Sequence, residues 1–459
     1  MNNDPRDTLA GSSMSRLQIT AVAITIALNA LDGFDVLSIS FASPGIAGEW
    51  GIDPAALGIV LSMELIGMSI GSVLLGGVAD RVGRRSTMLG CFVLMAVGMF
   101  MATTSRGIVD LSCWRIVTGL GIGGMLAATA AVAAEFSNRK RRDLCVSLMA
   151  IGYPIGAVVG GSIAAQLLGQ YGWRSVFYFG AAVTAAFIPI VFFFVPESVH
   201  WLARKQPEGA LERINRTLSR MGHAAIGALP KLSSDARRRS VSDILAPGLL
   251  GTTVIVAAAY FFHIMTFYFV LKWVPKIVAD MGFTASSAAG VLVWANVGGA
   301  VGGAVLGILT QRFNVKALTI GAMLLSTVLV AVFGRSPEDL ARLSMLCAFA
   351  GFFTNGAIVG MYAIFAKAFP THVRATGTGV SIGVGRGGSV LGPIIAGFLF
   401  DGGVGLPTVA LAMGFGSMLA AGVLMLLKLE PTGPEAEAAQ EGWTSHPERA
   451  PASRASTMM

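Results

Sequence analysis

Twelve stretches of about 20 mostly apolar residues recur along this chain, and each matches the roughly 30 Å hydrocarbon core of a bilayer when coiled at 1.5 Å per residue. They lie near 17–41, 56–79, 87–104, 112–135, 146–168, 175–195, 247–270, 286–309, 317–334, 343–366, 377–399 and 405–427. Lipid offers backbone N–H and C=O groups no partner, so runs of this length are predicted to be helices that satisfy their own backbone. Only 13% of the residues are charged, against about 25% in a soluble domain. The reading is an all-α integral membrane protein with twelve transmembrane helices.

The formal net charge of +8 would also suit a nucleic-acid partner, and its distribution decides the matter. Of the 33 Lys and Arg residues, 25 fall on the tails and loops of the side that carries the N-terminus. The opposite loops carry Arg106, Arg174, Lys272, Lys276, Arg335 and Arg342, while Arg115 and Arg386 lie inside spans. Positive loops mark the cytoplasmic side, so both termini are predicted cytoplasmic in a multi-pass cell inner-membrane protein. The bilayer is then the expected partner, and no nucleic acid is. The first apolar run lacks a small-residue cleavage site and reads as a retained helix. Cys91, Cys113, Cys145 and Cys347 show no CxxC or Cys/His spacing, so neither a disulfide framework nor a metal site is expected. With no phosphate-loop signature and no catalytic order of residues, no cofactor and no enzyme activity are expected.

The longest interior loop divides the chain: a cytoplasmic N-terminal segment 1–16, six spans in 17–195, a cytoplasmic central loop 196–245, six spans in 246–428 and a disordered cytoplasmic tail 429–459. An offset of about 231 residues lays GGVADRVGRR (76–85) over GILTQRFNVK (307–316). Within two residues it also lays EFSNRKRRDLCVSLMAIGYPIG (135–156) over AFPTHVRATGTGVSIGVGRGGS (368–389). Parallel repeats of six helices, with a substrate site between them near the midplane, suit a rocking secondary transporter.

The motif Gly76-x-x-x-Asp80-Arg81-x-Gly83-Arg84-Arg85 resembles the major facilitator superfamily, as do Arg115-x-x-x-Gly119-x-Gly121-x-Gly123 and Pro196-Glu197-Ser198. Within it, Asp32-Gly33-Phe34-Asp35, the turn Arg374-Ala375-Thr376-Gly377 and the glycine-rich helix around Arg386 resemble the aromatic acid:proton symporter family. The resemblance implies the major facilitator fold, two six-helix bundles, and a coupling role for Asp32, Asp35 and Arg115. It also implies an acidic coupling residue at Glu135.

Carboxylates inside a span cost about 2.5–3.5 kcal/mol on insertion scales. Asp32 and Asp35, at i and i+3, share a helix face and together form the candidate proton carrier. Arg115 lies within about 5 Å of the depth of Asp35, which makes it the expected partner, its pairing broken by protonation. Glu64 is a third buried carboxylate for the relay, and Glu135 is expected beside the adjacent basic turn. Arg386, near the midplane, is the candidate ligand for a substrate carboxylate. His263, among Tyr260, Phe261, Phe262, Phe267 and Tyr268, would meet a planar ring. Phe34, Tyr153, Trp294, Asn296, Asn355 and Tyr362 are further substrate candidates. Gly76, Asp80, Arg81, Gly83, Arg84 and Arg85 form a candidate conformational latch, while Gln311 and Asn314 replace its Asp and Gly in the second half, which predicts a weaker copy there. Gly152, Gly156 and Gly160 make a smooth face for a neighbouring helix, and Tyr153-Pro154 is expected to interrupt that helix.

The function expected from these residues is uptake of a small aromatic carboxylic acid together with protons, by a monomer. The alternatives are a symporter for a non-aromatic organic acid, nicotinate or a sugar, and a transporter-like chemoreceptor for aromatic acids.

Overall fold

The computed structural model describes residues 4–230, 244, 247–369 and 373–428; the tail 429–459 and most of 231–246 lie outside the described residues. Among these, fifteen α-helices follow one another: α1 Pro5–Gly11, α2 Arg16–Trp50, α3 Pro54–Val82, α4 Arg84–Thr104, α5 Ile108–Glu135, α6 Arg142–Tyr171, α7 Arg174–Phe194, α8 Val199–Lys205, α9 Ala210–Arg220, α10 Pro247–Asp280, α11 Ala285–Leu309, α12 Val315–Phe333, α13 Leu340–Ala368, α14 Arg374–Asp401 and α15 Leu406–Met425. Twelve of them, α2–α7 and α10–α15, are long and apolar enough to cross a membrane.

Local chemistry sets the helix ends. Ser15 opens α2 in a reciprocal capping box with Gln18, and Asp53 followed by Pro54 opens α3, both satisfying N–H groups that a first turn leaves unpaired. Gly51 ends α2 in the left-handed region, with φ 59°, where glycine is adopted without steric cost. Several helices outrun the apolar stretch that announces them. α2 continues through Pro44 to Trp50, α10 continues through Pro275 to Asp280, and α6 runs unbroken through Pro154, contrary to the interruption expected there. Neighbouring helices stabilise a proline-containing span that water would break.

The ends of the chain's first half are also more ordered than a polar segment and a loop. α1 lies in the N-terminal segment, and α8 and α9 lie in the central stretch. Leu9, Trp201, Leu202, Ile214 and Leu218 are buried in one cluster with Phe136, while Glu212, Arg213 and Arg216 point outward. The apolar positions at i and i+4 in α9 give it a face to bury.

α2–α7 pack mainly among themselves, as do α10–α15; contact between the halves runs chiefly through α3 with α14 and α6 with α11. The repeat is visible in the packing. Gly67 and Gly71 of α3 bring its backbone against Ile116 and Leu120 of α5, and 231 residues on, Gly298 and Gly302 of α11 meet Ala348 and Phe352 of α13 in the same way. A Cβ at any of the four would collide with a carbonyl, so these helices cross at backbone contact.

Among the described residues the two halves share a buried apolar cluster at one end. At the end away from the basic loops a single buried cluster takes in Phe41, Ile46 and Leu57 with Trp273, Leu292 and Ala396. At the other end the apolar residues form two clusters, around Met88 and Phe136 in the first half and around Phe365 and Leu424 in the second. The two halves therefore meet on the face opposite the basic loops.

Candidate functional site

Backbone contact between α3 and α5 sets the centre of the site. Gly119 abuts the carbonyl of Glu64, which places Arg115, one turn earlier on α5, beside the Glu64 carboxylate. The two form an ion pair, both fully buried. The expected Asp35–Arg115 carboxylate pair does not form. Instead the guanidinium donates to the backbone carbonyl of Asp35 at 3.1 Å and lies 5.3 Å from the Phe177 ring centre. Equal depth made Asp35 the expected partner, and the crossing of α3 with α5 puts Glu64 there instead.

Asp32 and Asp35 stand on α2 within the same interior, 2% and 0% exposed. The Asp35 carboxylate accepts from Thr184 of α7 at 3.5 Å, and one oxygen of each aspartate has no protein partner. They remain titratable acceptors next to the Glu64–Arg115 pair.

Lys272 changes the electrostatics of this centre. Expected in an outer loop, it lies inside α10, fully buried. Its ammonium donates to the Val36 carbonyl of α2 and stands 3.7 Å from the second oxygen of Glu64. The sequence signal was present: after Lys272 the chain resumes Trp-Val-Pro before Lys276, then Ile277-Val278, too apolar for a loop.

Arg386 on α14 reaches the other half, donating to the Met68 carbonyl of α3 at 2.8 Å. Among the described residues no carboxylate lies within ion-pair distance of it. Nearby, Ser62 of α3 donates to the Val390 carbonyl at 2.8 Å. Tyr153, Asn296, Thr354 and Asn355 line a cavity of about 30 Å³ between α6, α10, α11 and α13. That is roughly the volume of one water, whereas a cavity of about 150 Å³ holds benzene, so the cavity as it stands is too small for an aromatic ring.

His263, Phe34, Trp294 and Tyr362 do not line that cavity. His263 is fully buried, with Nδ1 2.9 Å from the Ser417 hydroxyl and Nε2 2.8 Å from the Thr354 carbonyl, so both ring nitrogens tie α10 to α15 and α13. Phe34 is buried against Gly160 and packs edge-on to Phe179 at 5.2 Å between centroids. Trp294 of α11 is 53% exposed. Tyr362, also exposed, meets the Tyr260 hydroxyl at 3.2 Å.

The latch residues assemble within the first half. Arg84 pairs with Asp80 at 2.7 Å and with Glu135 at 3.5 Å, and Arg204 of α8 also reaches Asp80 at 3.0 Å. Glu135 thus faces the latch, where Ser198 also donates to it, and not the adjacent basic turn. Glu197 accepts from the backbone N–H groups of Arg84 and Arg85 at 2.8 and 3.2 Å. It fills the side of Gly83, whose φ of 115° and crowding by that carboxylate require glycine. Arg85 stacks on Phe192, a Cβ at Gly76 would lie 3.8 Å from that of Ala127, and Arg81 is exposed. In the second half Asn314 caps α12, accepting from Ala317 N–H at 3.1 Å, and among the described residues no ion pair forms at that joint.

Two six-helix halves, closed together on one face around buried charge that both contribute to, define a membrane carrier of the alternating-access kind. The chain belongs to the Major Facilitator Superfamily, whose family model matches residues 25–334 and 256–456. The 4-hydroxybenzoate transporter PcaK of Pseudomonas putida is 30% identical over 385 residues, covering 83% of this chain and 85% of that protein. The gallate transporter of Pseudomonas putida is 27% identical over 421 residues, 91% and 93% of the two chains. Among solved structures, a bacterial homolog of the human lysosomal transporter Spinster, inward-facing and unoccupied, matches with TM-score 0.72 at 14% identity over 90% of this chain and 97% of its own. The xylose transporter XylE from E. coli, partially occluded and inward open, matches with TM-score 0.68 at 19% identity, covering 91% and 99%. At such identities these structures establish the fold alone.

Proposed function

We propose that this chain carries a small aromatic carboxylic acid of the hydroxybenzoate type across the cell inner membrane together with protons, inward, as a monomer with both termini cytoplasmic. The observation that carries the reading is Arg386. It is a permanent cation at the boundary between the halves, held among the described residues by a neutral carbonyl alone, and its remaining donors are suited to a bidentate carboxylate. The names of the relatives, 4-hydroxybenzoate and gallate transporters, support an aromatic ring on that carboxylate. Asp32 and Asp35, buried and incompletely satisfied, are the proposed proton carriers, with Glu64 and Arg115 holding them in register. Tyr153, Asn296 and Asn355 are the proposed ring contacts as the cavity widens. The proposed domain boundaries are at 195 and 246.

Purified protein in liposomes tests this. An imposed inward proton gradient is expected to drive accumulation of one or more benzoates, and no gradient-dependent uptake across a panel of them would remove the aromatic reading. Arg386→Lys is expected to raise the apparent KM about tenfold, or about 1.4 kcal/mol. An unchanged KM would exclude Arg386 as the carboxylate ligand.

A further inference from the structure

Lys272 and Glu64 form the one ion pair, among the described residues, that joins the two halves inside the core. The pair lies on the shut side of the carrier, and the ammonium also grips the carbonyl of Val36, next to Asp35. Glu64 also pairs with Arg115 of α5, and the buried Asp32 and Asp35 of α2 stand near Glu64, with Asp35 near Arg115 as well. The other titratable side chains facing this cluster are Cys91, Tyr153 and Tyr268, a thiol and phenols that are uncharged near neutral pH in their ordinary state.

With Lys272 seated, three carboxylates face two cations, and one bound proton neutralises the set. When the halves part on this face, Lys272 leaves with α10, three carboxylates face Arg115 alone, and neutrality takes two protons. Buried uncompensated charge is strongly disfavoured, so the two states differ by one proton. We propose that Lys272 is a tethered counter-ion that competes with the proton: its entry into the carboxylate cluster as this face closes displaces one proton from Asp32 or Asp35. The O–H bond of the aspartic acid breaks, the proton passes to water on the side of the basic loops because the other side is sealed, and the Lys272 ammonium takes its place. Lys272 is thus a positioning residue for coupling. The direction of net proton movement rests on the function proposed above, while the link between closure and protonation does not.

The test measures closure directly. Gly169 and Ser286, at the ends of α6 and α11 on the shut face, are close enough that a Cβ on Gly169 would lie 3.7 Å from the Ser286 hydroxyl. Spin labels are placed through Gly169→Cys and Ser286→Cys, with the four native cysteines replaced by alanine, in lipid nanodiscs without substrate. In the parent, acid is expected to increase the open fraction between pH 8 and 5.5, because closing releases a proton. Lys272→Met is expected to reduce the closed fraction at pH 8 about tenfold and to abolish the pH trend, since two protons then neutralise the cluster in either state. Lys272→Arg keeps the cation and is expected to close like the parent. Glu64→Gln combined with Lys272→Met leaves two carboxylates facing Arg115 and is expected to recover closure at pH 8. A closed fraction and pH trend in Lys272→Met equal to the parent's would overturn the proposal. So would failure of either the arginine variant or the double variant to close. If benzoates are not taken up but the distances behave as stated, the tethered counter-ion stands and the substrate reading falls.

Discussion

Removing one member of a buried ion pair leaves the other charge uncompensated, at a cost of about 3–5 kcal/mol. Glu64 answers both Arg115 and Lys272, so Glu64→Gln is expected to lower the thermal midpoint markedly in detergent. Asp35→Asn removes a carboxylate with one unpartnered oxygen and a weak 3.5 Å contact, and its midpoint is expected to stay close to the parent's. Gradient-driven accumulation is expected to fail in Asp35→Asn while exchange of labelled for unlabelled acid persists; equal accumulation in parent and variant would take Asp35 out of the proton path. The sequence made this cluster legible as charge where lipid forbids it: Asp32, Asp35, Glu64 and Arg115 stand out from apolar surroundings. It did not reveal the pairing, because depth along a helix says nothing of which neighbour the helix crosses. Lys272 was hidden by the loop statistics, which assign a lysine four residues from another to the water.

At the scale of helices, the contact of α3 with α5 holds the cluster in register, and glycine makes that contact possible. Gly119→Ala would drive a methyl into the Glu64 carbonyl, and overpacking of this kind costs about 1–3 kcal/mol. Gly77→Ala, on the same pair of helices but with open space around it, is expected to be neutral or to stabilise by up to about 1 kcal/mol through helix propensity. Thermal unfolding and uptake measured side by side check the contrast; equal losses in both would mean that the crossing is not what positions Glu64. Twelve long helices were readable from apolar length, and the glycine repeats from their spacing. The docking of α1, α8 and α9 was not, since short polar helices become stable only against a surface that sequence periodicity cannot supply. That dock is expected to be pH-sensitive. Burial holds His200 of α8 below its ordinary value of 6.5, so the folded state binds fewer protons there than the unfolded one, and stability present above pH 6.5 is lost as pH falls through it. Amide exchange in α8 is expected to accelerate between pH 7.5 and 5.5 after correction for intrinsic rates, and His200→Gln is expected to flatten that dependence.

For the molecule as a whole, closure on one face depends on backbones that touch only when the halves meet. Gly58 of α3 rests against the Pro393 carbonyl and Gly397 of α14, and Pro54 against Gly397. A β-branched side chain at position 58 has no room there, yet it has room once the halves part, so Gly58→Val acts as a wedge that biases the carrier open on this face. A carrier held in one state keeps a binding site but cannot deliver its load, because transport needs both states populated. Uptake by Gly58→Val is expected to fall about 100-fold, while binding of the transported acid, read as a thermal shift, changes by no more than about threefold. Leu57, fully buried in the cluster that joins the halves, gives an independent readout. As Leu57→Cys in a background without the native cysteines, it is expected to react with a membrane-impermeant thiol reagent only when the wedge is present. If the wedge abolishes uptake but leaves that thiol unreactive, residue 58 acts through local packing of α3, and the joining of the halves at this face is not the step that governs transport.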